Sequence, residues 1–305
     1  MPRARNRRIA WGAMWGEFWA RLAPACSRGH ANSALSRLRR RSRGVRLMGA
    51  RYCRTECLQL ALAEALQQSG AVARSSAIAS HRIPLGLLLL SRQQITPEQL
   101  KEVLEAQRGV AGAANCDTDS GRSAGSPHQG SKRLGAWLQE RRYSTEQEVT
   151  AALARQWSCP LLRFSPSALS ASRSPEIPFP LLEFFRMIPV ALVEATGTLL
   201  MAFSEGIDYT ALYAIEQLLG YHTEACLICP SVLQTILLEL AQRREASDVV
   251  FEHAADAVEC ARIAGNYSAK LGAEELRFAH CGEHLWIRLA RRRKATVNLL
   301  LRVGG

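Results

Sequence analysis

PLGLLLLSRQQITPEQLKEVLEAQ, from Pro84 to Gln107, and RLGAWLQERRYSTEQEVTAALARQ, from Arg133 to Gln156, are two versions of one pattern. Set over each other at an offset of 133 − 84 = 49 positions, they agree at Leu85/Leu134, Gly86/Gly135, Leu89/Leu138, Thr96/Thr145, Leu104/Leu153 and Gln107/Gln156. A duplication of that length marks a repeated structural unit. Each copy starts with a short apolar run carrying a Leu-Gly step and continues through a polar turn. Thr96 with Gln99, and Thr145 with Glu148, then stand at capping-box spacing, which predicts a helix start at each threonine. Pro97 suits the first helical position, where its missing N–H has no intrahelical partner to lose. Beyond the caps, Leu100, Val103, Leu104 and Gln107 share one helical face, as do Val149, Ala152, Leu153 and Gln156. Each apolar stripe therefore ends in a glutamine. A polar side chain at the end of a buried stripe needs a partner, so both amides are expected to be hydrogen-bonded.

At these residues the chain resembles the N-terminal domain of type II secretion and type IV pilus assembly ATPases, the GspE and MshE type, in which twin R-L-G-x-x-L…Q motifs build a small helical subdomain that binds cyclic di-GMP. The resemblance implies ligand roles for Arg133, Leu134, Gly135, Leu138, Leu153 and Gln156 in the second copy and for Leu85, Gly86, Leu89, Ile95, Leu100, Leu104 and Gln107 in the first. The chemistry is coherent: a dianionic dinucleotide suits a guanidinium that pairs with phosphate and stacks, amides for base edges, glycines for close backbone approach and apolar side chains under the bases. The departures are equally specific. Pro84 stands where the family has Arg, with Arg82 two residues upstream as the only substitute. Ser144 replaces an Ile, Val149 replaces a Leu, and the turn glycine is Gln93 in one copy and Arg142 in the other.

The same resemblance implies a small α/β subdomain next, in the order ββαβα. Met187–Val190, Thr198–Phe203, Asp208–Leu219, His222–Cys226 and Ser231–Gln242 supply it, with Gly220 where a helix C′ residue takes positive φ. The Asp-Pro usual after the second strand is replaced by Ser204-Glu205-Gly206-Ile207-Asp208. From Ala246, ASDVVFE resembles the approach to the motor of those ATPases, followed by a helix over Ala255–Leu271 and strands over Glu275–Ala279, His284–Leu289 and Thr296–Val303.

A phosphate loop needs G-x-x-x-x-G-K-[ST]. The four lysines, Lys101, Lys132, Lys270 and Lys294, neither follow a Gly nor precede Ser or Thr, so ATP hydrolysis by that loop is excluded for these residues and no catalytic residue is assigned. Gly121-Arg122-Ser123-Ala124-Gly125 matches the nucleophile-elbow pattern but lies in a Gly/Ser-rich linker, without the strand and helix that motif needs. Cys226/Cys229, Cys53/Cys57 and the cluster of His280, Cys281 and His284 have metal-like spacings, yet a zinc site needs the pairs to meet in space; they are read as buried thiols, with no metal and no cofactor. Nine cysteines without a secretory signal point to a reducing cytoplasm rather than a disulfide framework.

The net charge of +12 resides in one place. Residues 1–47 hold twelve Arg and one Glu, which is +11, leaving about +1 for the rest. A nucleic-acid partner is therefore not expected for the folded part. Trp11, Trp15, Phe18, Trp19 and Leu22 share a helical face beside arginines, a pattern suited to peripheral contact with an anionic inner membrane; the plainer reading is a disordered leader, or a start at Met48. No 18-residue apolar span exists to cross a bilayer.

The fold class expected is α+β: a leader over 1–47, a helical twin-motif subdomain over 48–159 with a helix at Thr55–Gln68 and a linker at 109–131, an α/β subdomain over 160–243, and an αβββ tail over 244–305. Three readings of function stay open: a non-enzymatic regulator or adaptor of a secretion or pilus protein-transport machine that binds cyclic di-GMP, with a platform component or a separate motor ATPase as partner; a docking module that binds no nucleotide; and a membrane-surface or nucleic-acid binder acting through the leader.

Overall fold

The computed structural model describes residues 26–28, 44–75, 82–114, 132–163, 176–242 and 248–303. The leader pattern around Trp11–Leu22 and the Gly121–Gly125 motif lie outside the described residues. The fold is α+β, as expected. Contacts divide the chain into two units: Met1–Ser75 with Val249–Phe278 and Leu285–Gly304, and Ser76–Asp248 with Ala279–His284 and Gly305.

The first unit is built on strands β1 (Val45–Leu47) and β2 (Ala50–Tyr52) and helix α1 (Thr55–Ser75). They join strand β6 (Asp248–Ala254), helix α9 (Ala257–Leu271), and strands β7 (Glu275–Cys281), β8 (His284–Arg291) and β9 (Lys294–Val303). The sheet order is β2-β1-β7-β8-β9-β6, with β1 parallel to β7 and antiparallel to β2. Leu58, Leu62 and Leu66 of α1 pack with Cys260, Ala261 and Ala264 of α9 over Leu276, Phe278, Leu285, Ile287, Leu289, Leu299 and Leu301. The small residues of α9 let α1 come close: a Cβ at Gly265 would run into the Gln59 side chain. Gln59 Nε2 in turn donates to Arg262 O and Asn266 Oδ1 at 3.3 and 3.2 Å.

Three expectations change here. The helix over 55–68 runs on to Ser75 and packs with α9 and the C-terminal sheet, not among the twin-motif helices, because its Leu58/Leu62/Leu66 stripe finds an apolar partner there. The leader ends sooner than residue 47, and Met48 does not begin the fold, because Leu47 is 3% exposed in this core. ASDVVFE supplies a strand, β6, that the αβββ reading of the tail lacks.

The second unit contains helices α2 (Leu85–Ser91), α3 (Pro97–Ala114), α4 (Leu134–Glu140) and α5 (Glu146–Gln156). Helix α6 (Phe179–Phe184), strands β3 (Met187–Val193) and β4 (Thr198–Phe203), helix α7 (Tyr209–Leu219), strand β5 (His222–Leu227) and helix α8 (Pro230–Gln242) follow. The ββαβα order is therefore observed, with α6 added ahead of it and α3 reaching five residues past the expected start of the linker. β3 pairs antiparallel with β4, and β4 parallel with β5. β4 is central in this three-stranded sheet, and its Leu199, Met201, Ala202 and Phe203 are fully buried. Asp208 caps α7 by accepting from the Thr210 and Ala211 N–H groups, and Gly220 ends it at φ +75. After α5 the chain runs onto the β5 edge, where Leu162 N–H donates to Leu227 O and Leu227 N–H to Pro160 O, at 2.8 and 2.9 Å.

Candidate functional site

The two motif copies fold alike down to single hydrogen bonds. Thr96 and Gln99 form a reciprocal capping box, with Thr96 N–H donating to Gln99 Oε1 and Gln99 N–H to Thr96 Oγ1. Thr145 and Glu148 form the second. There Ser144, in place of the first copy's buried Ile95, is itself buried and adds a hydroxyl donor to Glu148 Oε2 at 3.2 Å. The Thr145 hydrogen bonds hold the Glu148 carboxyl below its ordinary range. Glu146, two residues earlier, accepts from both the N–H and the hydroxyl of Ser231 at 2.7 Å. That fastens the start of α5 to the start of α8.

The turns inside the copies keep the glycine geometry without the glycine. Gln93 and Arg142 sit at φ +58 and +59. Gln94 N–H reaches Leu89 O and Gln93 N–H reaches Leu90 O; Tyr143 reaches Leu138 O and Arg142 reaches Gln139 O. These are paired Schellman bonds closing α2 and α4.

Packing exchanges the copies. α2 lies against α5, and α3 against α4, while α2 and α4 also touch each other. Leu89, Ile95, Val103, Leu138 and Ala152 form the buried centre of this bundle. A Cβ on Gly86 would stand 2.8 Å from Leu100 Cδ1 and 3.4 Å from Leu134 Cδ2; one on Gly135 would stand 2.8 Å from Val149 Cγ1 and 3.7 Å from Leu85 Cδ2. Each glycine thus makes room for its own copy's long helix and for the leucine that opens the other copy. The terminal glutamines have the partners their position demands. Gln107 Nε2 donates to Lys132 O at 3.4 Å, and Gln156 Nε2 to Ile83 O at 2.6 Å. Ile83 and Lys132 are 49 residues apart, so the two bonds are mates under the same repeat. Across α3 and α4, Glu102 accepts from Tyr143 Oη at 2.6 Å and is ion-paired with Arg141.

The residues expected at the ligand sit at different depths. Leu89, Leu138 and Ile95 are 0, 0 and 4% exposed and pack in the helix core. Gly86 and Gly135 are buried against Leu100 and Val149. Leu85, Leu100, Leu104, Leu134 and Leu153 remain half-buried, as do Gln107, Gln156 and Arg133. Arg133 is the N-cap of α4, and its Nη1 lies 2.9 Å from Glu205 Oε2, each side chain 39% exposed. Arg82, two residues upstream of Pro84, sits over the Trp157 ring, 3.1 Å from its centroid. Trp157 also covers Gly206, where a Cβ would stand 2.8 Å from Cζ2. The loop at which the resemblance breaks, 204–208, therefore meets the second motif through Glu205 and Gly206. Glu205 lies in the stretch that replaces the Asp-Pro, and Trp157 is signalled as an aromatic directly after a motif glutamine, while the Glu146–Ser231 tie carries no motif that a reading of the sequence would select.

A cavity of about 400 Å³ lined by Gln147, Leu161, Leu162, Arg163, Ile228, Cys229 and Val232 includes none of the residues assigned to the nucleotide. Cys226 is fully buried in β5, its Sγ 3.4 Å from Met201 O, and burial pushes its thiol up to about 12. Cys281 is equally buried and its thiol is raised further, while burial lowers His280. Among the described residues no helix is long and apolar enough to cross a membrane.

No family model and no curated protein matches the chain. Among solved structures, it is similar to MshE with cdg, at 22% identity and a TM-score of 0.37, covering 52% of this chain and 99% of that one. It is also similar to the N-terminal domain of XpsE, at 17% identity and a TM-score of 0.33, covering 50% and 91%. A second crystal form of that domain aligns at a TM-score of 0.28.

Proposed function

We propose that the chain is a non-enzymatic regulatory or adaptor protein of a type II secretion or type IV pilus system, whose twin-motif unit receives cyclic di-GMP. One observation carries this reading: the surface is built twice. Capping boxes, left-handed turns and reciprocal glutamine bonds all repeat at an offset of 49, and a ligand of two equal halves suits two equal half-sites. Arg133 supplies the cation, and Leu85, Leu100, Leu104, Leu134 and Leu153 supply half-buried apolar surface. The ββαβα part, fastened through Glu146 and Ser231, is the side offered to a platform component or a separate motor ATPase, on the cytoplasmic face of the inner membrane.

A second reading, a docking module that binds no nucleotide, is favoured by Pro84 in place of an arginine and by the glycines being filled by Leu100 and Val149. Calorimetry of the full chain with cyclic di-GMP separates the two. The sensor reading expects micromolar or tighter binding that Arg133→Ala removes while circular dichroism stays unchanged. Absence of heat at high ligand concentration selects the docking module.

A further inference from the structure

In the first unit, Cys26 comes together with the sequence neighbours Cys53 and Cys57. The sulfurs of Cys26, Cys53 and Cys57 all lie within 4.8 Å of one another, with Cys26 and Cys57 buried and Cys53 half-buried. No disulfide joins them. Cys53 and Cys57 alone are an ordinary i, i+4 spacing around the start of α1; Cys26 makes the third corner, and the chain holds it there. Ser27 N–H donates to Arg51 O in β2 at 3.0 Å, and Arg28 pairs with Glu64 of α1 at 2.5 Å. The turn at 26–28 is thus tied on one side to the strand before Cys53 and on the other to the helix carrying Cys57.

We propose that Cys26, Cys53 and Cys57 form a metal site for Zn²⁺, with three thiolate ligands and a fourth position open to solvent. A tetrahedral zinc with bonds of about 2.3 Å holds its sulfurs about 3.8 Å apart. The observed triangle reaches that by contracting each edge by no more than about 1 Å, within the range of small χ1 adjustments. Softness selects the ion: three thiolates without carboxylate favour zinc over the hard divalent cations.

The surroundings supply the remaining requirements. A cavity of about 310 Å³ lined by Arg28, Arg54, Glu56, Leu60 and Cys57 opens beside Cys57 and is large enough to hold a water. Cys57 is in the first turn of α1, where the backbone N–H groups favour a thiolate. Binding exchanges protons for the metal: three thiols and Zn²⁺ give a tris-thiolate of charge −1 and release three protons, with no electron transferred. A divalent ion drives that ionisation, because a coordinated thiol gives up its proton. Arg28, which is paired with Glu64, lines the same cavity as Arg54 and Glu56.

The test uses the full chain, purified under reducing conditions, stripped with a chelator and titrated with ZnCl₂ against a chromophoric competitor. One zinc per chain is expected, together with a rise in Tm on adding zinc to the stripped protein. Co²⁺ in its place is expected to give the sulfur-to-cobalt charge-transfer absorption of a thiolate site. Loss of an outer-shell partner already weakens metal sites by 10- to 100-fold, so Cys26→Ser, Cys53→Ser and Cys57→Ser are each expected to weaken zinc by about 100-fold or more, and Cys229→Ser to leave it unchanged. Should a variant fold poorly, the thermal shift and cobalt spectrum of the unmutated chain decide. The proposal is overturned if that chain shows neither. It is also overturned if Cys26→Ser binds zinc as tightly as the parent, or if alkylation and mass spectrometry find two of the three thiols joined in a disulfide.

Discussion

Glu205→Gln is the substitution that most directly tests what Arg133 is for. The carboxylate holds the guanidinium at 2.9 Å, and both side chains are 39% exposed. Ion pairs of that exposure are worth about 0.2–1 kcal/mol, and a phosphate that takes over the guanidinium must first dislodge Glu205. A displaced carboxylate also stays close to a dianion. At about 5 Å in a water-like dielectric, each unit of charge there costs about 0.8 kcal/mol. Together the two effects amount to between about 1 kcal/mol, with one charge of the dianion that close, and about 2.6 kcal/mol, with both. At 1.4 kcal/mol per tenfold, removing the charge should tighten cyclic di-GMP binding by between about 5- and 70-fold. The same substitution is expected to leave the fold intact, because it keeps the shape of the half-buried Glu205 side chain, which caps no helix. The assay is calorimetry on the full chain at two ionic strengths. The gain should shrink at high salt, since both effects are screened, and Glu205→Gln combined with Arg133→Ala should lose the gain altogether. The reasoning fails if Glu205→Gln binds no more tightly than the parent at low salt, or if the double variant keeps the improvement.

The other predictions concern the scaffold. Gly135→Ala should destabilise by about 1–2 kcal/mol, because the new methyl meets the stiff Val149 side chain and overpacking outweighs the gain in helix propensity; Gly86→Ala, facing the more adaptable tip of Leu100, should cost less. Urea denaturation ranks them, and equal costs would count against the packing role. Gln93→Gly and Arg142→Gly should each stabilise by about 0.5–1 kcal/mol, since both residues hold φ near +60 and glycine relieves that strain; a loss of stability at either would contradict the turn geometry. Glu148→Gln probes the second capping box through pH. A carboxyl whose folded pKa lies below 4.5 stabilises the fold above that value and stops doing so as pH falls through the folded pKa. The parent should therefore be more stable than Glu148→Gln at neutral pH and lose that advantage progressively below about pH 4.5; an advantage that persists at lower pH would show the box is not its source.

Local patterns were legible where one copy could be checked against the other. Thr96/Gln99 and Thr145/Glu148 announced both helix starts, and the end of each stripe announced that Gln107 and Gln156 would need partners. What those partners are could not be read, since Ile83 O and Lys132 O are backbone atoms brought in by the exchange of helices between copies. The turns at Gln93 and Arg142 were marked by the resemblance alone, and their left-handed backbone carried no signal of its own. The usual signal is a glycine, and the geometry survives on hydrogen bonds to Leu89 O and Leu138 O without it. In the first unit the losses come from distance and brevity. Gln59 and Arg262 are 203 residues apart, so nothing near α1 reveals that α9 is its partner. β1 and β2 are three residues each, too short for an alternating pattern, and β1 falls inside an Arg-rich stretch whose composition reads as unfolded. At the candidate site, burial is what spacing does not reveal: a leucine repeated at a helical period looks the same whether it faces outward or, like Leu89 and Leu138, a neighbouring helix.

That ambiguity also shows which positions can still inform about function. Wherever the exchange of helices makes a demand, the two copies agree: Gly86 with Gly135, Leu89 with Leu138, Gln107 with Gln156. The N-caps of α2 and α4 differ completely, Pro84 against Arg133, and neither makes a side-chain capping bond. The fold therefore asks only for an extended backbone there, which proline provides as well as arginine. A guanidinium at 133 is not explained by closing α4. Its partner, Glu205, comes from the loop that departs from the resemblance, so the cation and its counter-charge form a pair outside the repeat. A pure packing code would leave this position to any residue of suitable backbone, and its replacement would be silent. A measurable effect of Arg133→Ala on ligand or partner binding, with Gln107 and Gln156 still satisfied, would separate the function of the twin motifs from their role as scaffold.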